Sequence, residues 1–152
     1  MEPLHYKHWP KGVPHNFTVP KTTLYYNLEV SATRYPDKTA VSYYGSRLSY
    51  GRLKSEVDAL AGYLQQQCGV RKGDRVILYM QNSPQFVIAY YAILRADAVV
   101  VPVNPMNLTE EVKHYVEDAG VSVAVSGLEI FPRLEPLMGV AGGSGIHDVC
   151  PP

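Results

Sequence analysis

The sequence predicts an α/β fold, a doubly wound and mainly parallel sheet with flanking helices and a small β-hairpin. Three observations carry this. Helical and strand patterns alternate along most of the chain, as they do where helices cover both faces of a sheet. Ala98 to Val103 is an unbroken run of small and β-branched apolar residues, suited to a strand buried on both faces. Each helical pattern opens on a hydroxyl or amide residue able to cap it.

Residues 1–22 are rich in Pro, His and Lys, and Pro3, Pro10, Pro14 and Pro20 forbid a continuous helix, so an extended arm is expected. His5, His8 and His15 lack a companion Cys or carboxylate cluster, which favours a surface arm over a metal site. Leu24, Leu28, Ala32 and Tyr35 recur at helical spacing after Thr22 or Thr23, and Pro36 stops that helix. Thr39–Tyr43 and Arg47–Ser49 read as a hairpin about Gly45 and Ser46. Ser49 then caps a helix whose stripe is Leu53, Val57, Leu60, Ala61 and Leu64, with Lys54, Glu56 and Asp58 on the other face and Gly69 at its end.

Val76–Met80 reads as the first central strand. Asn82 or Ser83 caps the next helix and Pro84 occupies its first turn, where no N–H is needed. Phe86, Tyr90, Ile93 and Leu94 form the expected stripe, and adjacent Tyr90 and Tyr91 must diverge, one to the core and one toward a partner surface. Asp97 turns the chain into the strand Val99–Val103. Thr109 is the expected cap of a fourth helix with the stripe Val112, Tyr115, Val116 and Ala119 and the terminator Gly120. His114 lies off that stripe. Val121–Val125 is one more strand, and Leu128 to Met138 is a helical pattern broken by Pro132 and Pro136.

A chain of 152 residues suits one domain with a real core. Lys and Arg balance Asp and Glu at 14 each, and no basic patch points to nucleic acid. Charged residues are 18% of the chain, below the usual quarter, which fits a surface that faces another domain or a second copy. Cys68 and Cys150 have neither metal nor redox spacing, so reduced thiols of a cytoplasmic chain are expected, with peripheral contact to a membrane left open. No apolar run is long enough to span a bilayer, and the N-terminus lacks the basic-then-apolar plan of a secretory signal.

In open α/β sheets ligands bind beyond the carboxyl ends of the strands. The turn after Val99–Val103 is therefore the place to look, and Pro102, Asn104, Pro105 and Met106 are its candidate residues. Pro102 cannot donate to a ladder, so pairing fails on one side there. Asn104 carries an amide that can both donate and accept. The reading with less chemistry, a structural turn, is the preferred one.

Several strings in order resemble the adenylate-forming enzymes. Arg34-Tyr35-Pro36-Asp37-Lys38-Thr39-Ala40-Val41 is similar to their opening. Leu48-Ser49-Tyr50-Gly51-Arg52-Leu53 resembles their first core motif, with Gly51-Arg52 departing from the usual acid before the leucine. Gly73-Asp74-Arg75-Val76 resembles the next strand entry, and Leu94 to Pro105 the second core motif, with Asp97 where glycine is usual. Asn104-Pro105 with Thr109-Glu110-Glu111 resembles the acyl-CoA synthetase branch, in particular medium- and long-chain fatty-acid–CoA ligases.

That resemblance implies a ligase that joins a fatty acid or other carboxylic acid to ATP and then passes the acyl group to coenzyme A, with Mg²⁺ on the phosphates. It also places the turn at Pro102–Met106 near the path of acyl or CoA groups. The family's Gly-rich phosphate loop ending in Pro-Lys-Gly does not follow Val121–Val125, so no catalytic, cofactor or metal residue is assigned. The expected organisation is an arm at 1–22, a partial AMP-binding domain at 23–139, and a Gly-rich tail at 140–152 expected to be disordered and out of frame or truncated. The expected function is an N-terminal piece of an acyl-CoA synthetase, inactive alone and binding no cofactor itself. Two alternatives remain. One is a stand-alone interaction module that uses an exposed edge of the last strand. The other, a separate nucleotide- or flavin-binding domain, needs a glycine loop that Gln81-Asn82-Ser83-Pro84 does not supply.

Overall fold

The computed structural model describes residues 3–138 and 148–150. Helix α1, Leu24–Arg34, begins on Thr23, whose hydroxyl accepts the Tyr26 N–H at 3.2 Å. Strands β1, Thr39–Tyr43, and β2, Ser46–Ser49, pair antiparallel as the hairpin. Ser49 caps α2, Tyr50–Gln66, by accepting the Arg52 N–H at 3.3 Å. Gly51 lies in its first turn against Pro36, and an added Cβ would sit 3.2 Å from the Pro36 carbonyl oxygen. The departure from the family pattern at Gly51 thus coincides with a close backbone approach.

Strand β3, Arg75–Tyr79, leads to α3, Pro84–Arg95, capped by Ser83, and then to β4, Val99–Val103. Helix α4, Thr109–Ala119, ends on left-handed Gly120, and β5, Val123–Ser126, follows. Two 3₁₀ turns, Phe131–Arg133 and Glu135–Leu137, replace the broken helical pattern at Pro132 and Pro136. A short strand β6, Asp148–Cys150, completes a parallel sheet of order β4-β3-β5-β6.

Helices cover both faces of this sheet. Val76 and Leu78 of β3 and Val123 and Val125 of β5 join α1, α2 and α3 in one core. Ile77, Tyr79 and Ala124 point the other way and join Val112 and Val116 of α4, with Leu134 and Leu137, in a second. Alternate residues of the same strands therefore feed opposite cores, as the pleat requires. Four consecutive β3 side chains, Val76 to Tyr79, are fully buried.

Several expectations need correction. The arm is not wholly extended: Leu4–His8 forms a 3₁₀ turn. There Tyr6 stacks on His15 at 4.0 Å and the Trp9 indole N–H donates to the Val13 carbonyl at 3.1 Å, so ring contacts fold the arm on itself. In α1 the buried set is Tyr25, Leu28 and Ala32, while Leu24 and Tyr35 are exposed. Leu28 and Ala32 are buried as expected, and the Tyr25 hydroxyl donates to Asp58 on α2 at 2.6 Å, so Tyr25 rather than Leu24 meets the neighbouring helix. In α3 the buried set is Ile88, Ala89, Ala92 and Ile93. That helix is apolar nearly all round, so periodicity does not select its face, and the alanines permit close packing. Phe86, Tyr90, Tyr91 and Leu94 are half-buried at its flanks.

Strand β4 is not buried on both faces. It pairs only with β3 among the described residues, and Val99 and Pro102 are exposed. Pro102 is compatible with that edge because one side of the strand has no ladder to join. Among the described residues β4 is thus one edge of the sheet, whereas β5 lies between β3 and β6. Strand β5 starts two residues later than expected because the Val121 N–H is held by the Val116 carbonyl at the end of α4. Thr109 is the first helical residue rather than the cap, and the Glu111 carboxylate accepts the Leu108 N–H at 2.8 Å in its stead. Asp148–Cys150 is a strand rather than disordered chain, and the rest of the tail expected at 140–152 lies outside the described residues.

A charged cluster ties the first three helices together. Asp58, read from the pattern as solvent-facing, accepts from Tyr25 of α1 at 2.6 Å and from Lys54 one turn back at 2.6 Å. Arg95 of α3 approaches the same carboxylate at 3.4 Å and lies over the Tyr25 ring at 5.1 Å. Burial works to raise the Asp58 pKa, but the Lys54 and Tyr25 hydrogen bonds and the Lys54 and Arg95 charges outweigh it and hold the carboxyl below its usual range. Burial first, and then the hydrogen bond to Asp58, raise the Tyr25 phenol. The hydrogen bond to Asp58 raises Lys54.

Candidate functional site

The turn that follows β4 is a small, well-tied structure. Asn104 accepts the Met106 N–H on its side-chain oxygen at 2.9 Å, an Asx turn that lets the chain reverse over the end of the sheet. The Asn107 N–H returns to the Asn104 carbonyl at 3.0 Å. Pro102, Asn104 and Met106 are exposed, and Pro105 is half-buried. The structure therefore brings Asn104, Pro105 and Met106 together on one surface loop, with Pro102 behind them on the strand edge. The acceptor of the Asn104 amide is already committed to the turn.

Two residues that sequence reasoning did not single out hold this turn from beneath. Arg133, in the first 3₁₀ turn, donates through one guanidinium nitrogen to the Pro105 carbonyl at 2.8 Å and the Asn107 carbonyl at 3.1 Å. The Tyr79 hydroxyl, at the buried end of β3, donates to the Asn107 carbonyl at 2.5 Å and lies 3.3 Å from the same guanidinium. The Asn107 amide donates to the Tyr115 hydroxyl of α4 at 3.2 Å. The available signal was a tyrosine ending an otherwise aliphatic strand, because a buried phenol needs a partner for its hydroxyl.

A separate crevice opens where connections leave the sheet in opposite directions. From β3 the chain crosses to β4 on one side, whereas β5 lies on the other, so the β3/β5 boundary is the topological switch point. A cleft of about 430 Å³ lies there, lined by Tyr43 of the hairpin, Met80, Gln81, Ser83, Gln85, Gly127 and Glu129. The Gly127 N–H is bound by the Tyr79 carbonyl at 3.1 Å. A Cβ on Gly127 would lie 2.6 Å from the Glu129 carboxylate, so that position needs glycine or a shifted Glu129. Among the described residues no Lys or Arg lines the crevice, and the Glu129 carboxylate disfavours an anion. These residues do not fit a triphosphate. An apolar groove of about 400 Å³ continues from it along α2 and α3, sharing Met80 and Gln85 and adding Leu60, Ile88, Ala89 and Val125. Lys72 and Arg75, the cations flanking the turn at Gly73 and Asp74, line neither opening, and His114 is exposed beside Tyr115.

A parallel sheet with helices on both faces, an N-terminal hairpin and a proline-bearing edge strand define the class, and comparison with known proteins gives the family. Residues 28–143 match the family model described as AMP-binding enzyme, and the chain belongs to that family. It is 40% identical over 125 residues to a long-chain-fatty-acid–CoA ligase of Bacillus subtilis, covering 82% of this chain and 22% of the relative. A long-chain-fatty-acid–CoA ligase of Yersinia pestis is 36% identical over 126 residues, again with 82% and 22% covered. Among solved structures, the fold is similar to a Mycobacterium tuberculosis fatty acyl CoA synthetase, with TM-score 0.77 and 27% identity over 86% of this chain and 26% of that one. It is similar also to the N-terminal domain of FACL13 from the same organism, with TM-score 0.77 and 27% identity over 86% of this chain and 34% of that one. The chain spans about a fifth of the length of the curated relatives it matches, and the match falls on their N-terminal domain.

Proposed function

We propose that this chain forms the first part of the adenylating domain of a fatty-acid–CoA ligase and that these 152 residues alone do not catalyse acyl activation. The observation that carries the reading is the AMP-binding match over residues 28–143 together with 40% identity to a long-chain ligase. In the complete enzyme, ATP, Mg²⁺ and CoA are the reactants and cofactor, and a fatty acid or related carboxylic acid is the substrate. This part supplies a rigid two-faced sheet on which the reactive portion is built. The turn at Pro102, Asn104, Pro105 and Met106 acts as a structural corner near the acyl or CoA path. A cytoplasmic location goes with the same reading; among the described residues no helix is long and apolar enough to cross a membrane.

The inactivity reading is supported by the crevice at the β3/β5 boundary, which offers a carboxylate where a phosphate site needs cations and N–H groups. The test has two arms. ATP–pyrophosphate exchange with palmitate is expected to be absent for this chain, and measurable exchange would overturn its inactivity. A chimaera in which residues 24–138 replace the matching segment of the Bacillus subtilis ligase is expected to form acyl-CoA. A folded chimaera without that activity would count against a ligase scaffold.

A second reading, a non-catalytic module that associates with a full-length ligase or with its own copies, is favoured by the open β4 edge. Affinity capture with purified full-length ligase separates the two, since the scaffold reading expects no complex.

A further inference from the structure

The crevice at the β3/β5 boundary carries a charge that the fold leaves uncompensated. Glu129 folds back over Gly127, where the missing side chain leaves room for both carboxylate oxygens. That carboxylate lines the crevice, and among the described residues no Lys, Arg or His pairs with it. A second carboxylate, Glu56 in the adjoining apolar groove, is already joined to Arg52 at 2.8 Å. Among the described residues neither opening is lined by a cation. Such a surface repels carboxylates and phosphates and attracts a positive ligand.

The hairpin adds an aromatic wall. Tyr44 and Gly45 turn the chain with φ of 44° and 84°, and at Tyr44 this is a left-handed conformation that side chains avoid. The turn sets Tyr43 along the crevice, with the Tyr44 ring packed edge-on to it at 4.6 Å. A tyrosine face attracts a cation through its quadrupole. The side-chain carbonyls of Gln81 and Gln85 add acceptors for N–H groups. Beyond Gln85 the surface turns apolar, over Leu60 of α2, Ile88 and Ala89 of α3 and Val125 of β5. We propose that this crevice binds a primary alkylamine in its ammonium form. The head sits on the Glu129 carboxylate and the Tyr43 ring, and the aliphatic tail runs along the groove between α2 and α3. Charge complementarity selects this occupant over an alkyl carboxylate, which would meet Glu129 with no cation to offset it. The inference does not use the ligase reading, and its test reads binding rather than acyl transfer, so either can fail alone.

The full 152-residue chain, isotope-labelled for amide NMR, is titrated at neutral pH with octylamine, octanol and octanoate. Octylamine is expected to shift the amides of Gln81, Gln85, Gly127 and Glu129, and octanoate is not. Affinity is expected to rise about threefold per added methylene from butylamine to octylamine, as each is buried in the groove. Glu129→Gln is expected to weaken octylamine on the order of tenfold and to leave octanol unchanged. Ala59→Trp, at an exposed position of α2 on the groove, is expected to remove the chain-length dependence while butylamine still binds. Glu129 and Ala59 are both exposed, so far-UV dichroism should be unchanged in the two variants. Absence of shifts with millimolar octylamine overturns the proposal. So does octanol or octanoate binding as tightly as octylamine, a flat chain-length series, or undiminished amine binding by Glu129→Gln. Shifts confined to other faces of the protein overturn it as well.

Discussion

The Arg133 guanidinium lies beneath the Pro105 carbonyl, donating to it at 2.8 Å across the end of the sheet. One cation thereby joins the turn after β4 to the 3₁₀ turn after β5. The Asn107 carbonyl receives from both Arg133 and Tyr79, so the main chain on each side of Met106 is fixed from within.

Removing that cation should loosen the turn while leaving the sheet in place. Arg133→Ala is expected to lower unfolding free energy by about 2 kcal/mol, since charge-assisted hydrogen bonds to two half-buried carbonyls are lost and that of Pro105 loses its guanidinium partner. Tyr79→Phe is expected to lose about 1 kcal/mol, because the ring packing is kept. Urea unfolding followed by far-UV dichroism measures both. Unchanged midpoints would show that the carbonyls are satisfied without the clamp.

Asp97 has φ of 60° and no glycine freedom, at the position where the family pattern has glycine. Asp97→Gly is expected to stabilise the chain by about 0.5–1 kcal/mol, as relief of left-handed strain outweighs the added freedom of the unfolded chain. A β-branched Asp97→Val should destabilise it. The check is the urea midpoint of each, at constant denaturant slope.

Acid stability should depend on Asp58. Its folded pKa is lowered, so its contribution is fully present above the ordinary carboxylate range and is lost as pH falls through the lowered value. Tyr25 and Lys54 shift upward, so their contributions persist below their ordinary values and are lost as pH rises through the raised ones. Wild type should therefore lose stability at both extremes. Asp58→Asn should flatten both limbs, because the Tyr25 and Lys54 shifts come in part from Asp58. Thermal unfolding across pH tests this, and parallel profiles for the two proteins would remove Asp58 as the cause.

Pro102 sits on an edge that can recruit another strand. Pro102→Val restores a backbone N–H to β4 and should increase self-association. Light scattering after size exclusion measures it. An unchanged mass at equal concentration would show that the edge is protected by something other than the missing donor.

Local chemistry made much of this legible. Thr23, Ser49 and Ser83 cap where a hydroxyl meets the start of an apolar stripe, because capping needs only residues three apart. The turn at Gly45, the left-handed Gly120 and the order of helices and strands follow from similarly short-range rules. The motif strings from Arg34 to Glu111 carried the family, since each marks a turn or strand entry.

What periodicity could not reach was decided by contacts distant in sequence. Val99–Val103 reads as a strand buried on both faces, and only the strand order leaves Val99 and Pro102 exposed at an edge. The apolar surface of α3 left its inward face open until Ala89 and Ala92 met their neighbours in the core. Asp58 looked solvated until Tyr25 and Arg95 arrived from two other helices. The clamp on the candidate turn spans Tyr79, Asn107 and Arg133, residues whose meeting requires the whole sheet to form. Sequence by itself determined the elements and the family because those rest on near-neighbour sterics and hydrogen bonds. The tertiary structure alone decided which faces are buried and what supports the turn, because burial and charge pairing depend on what the rest of the chain brings alongside.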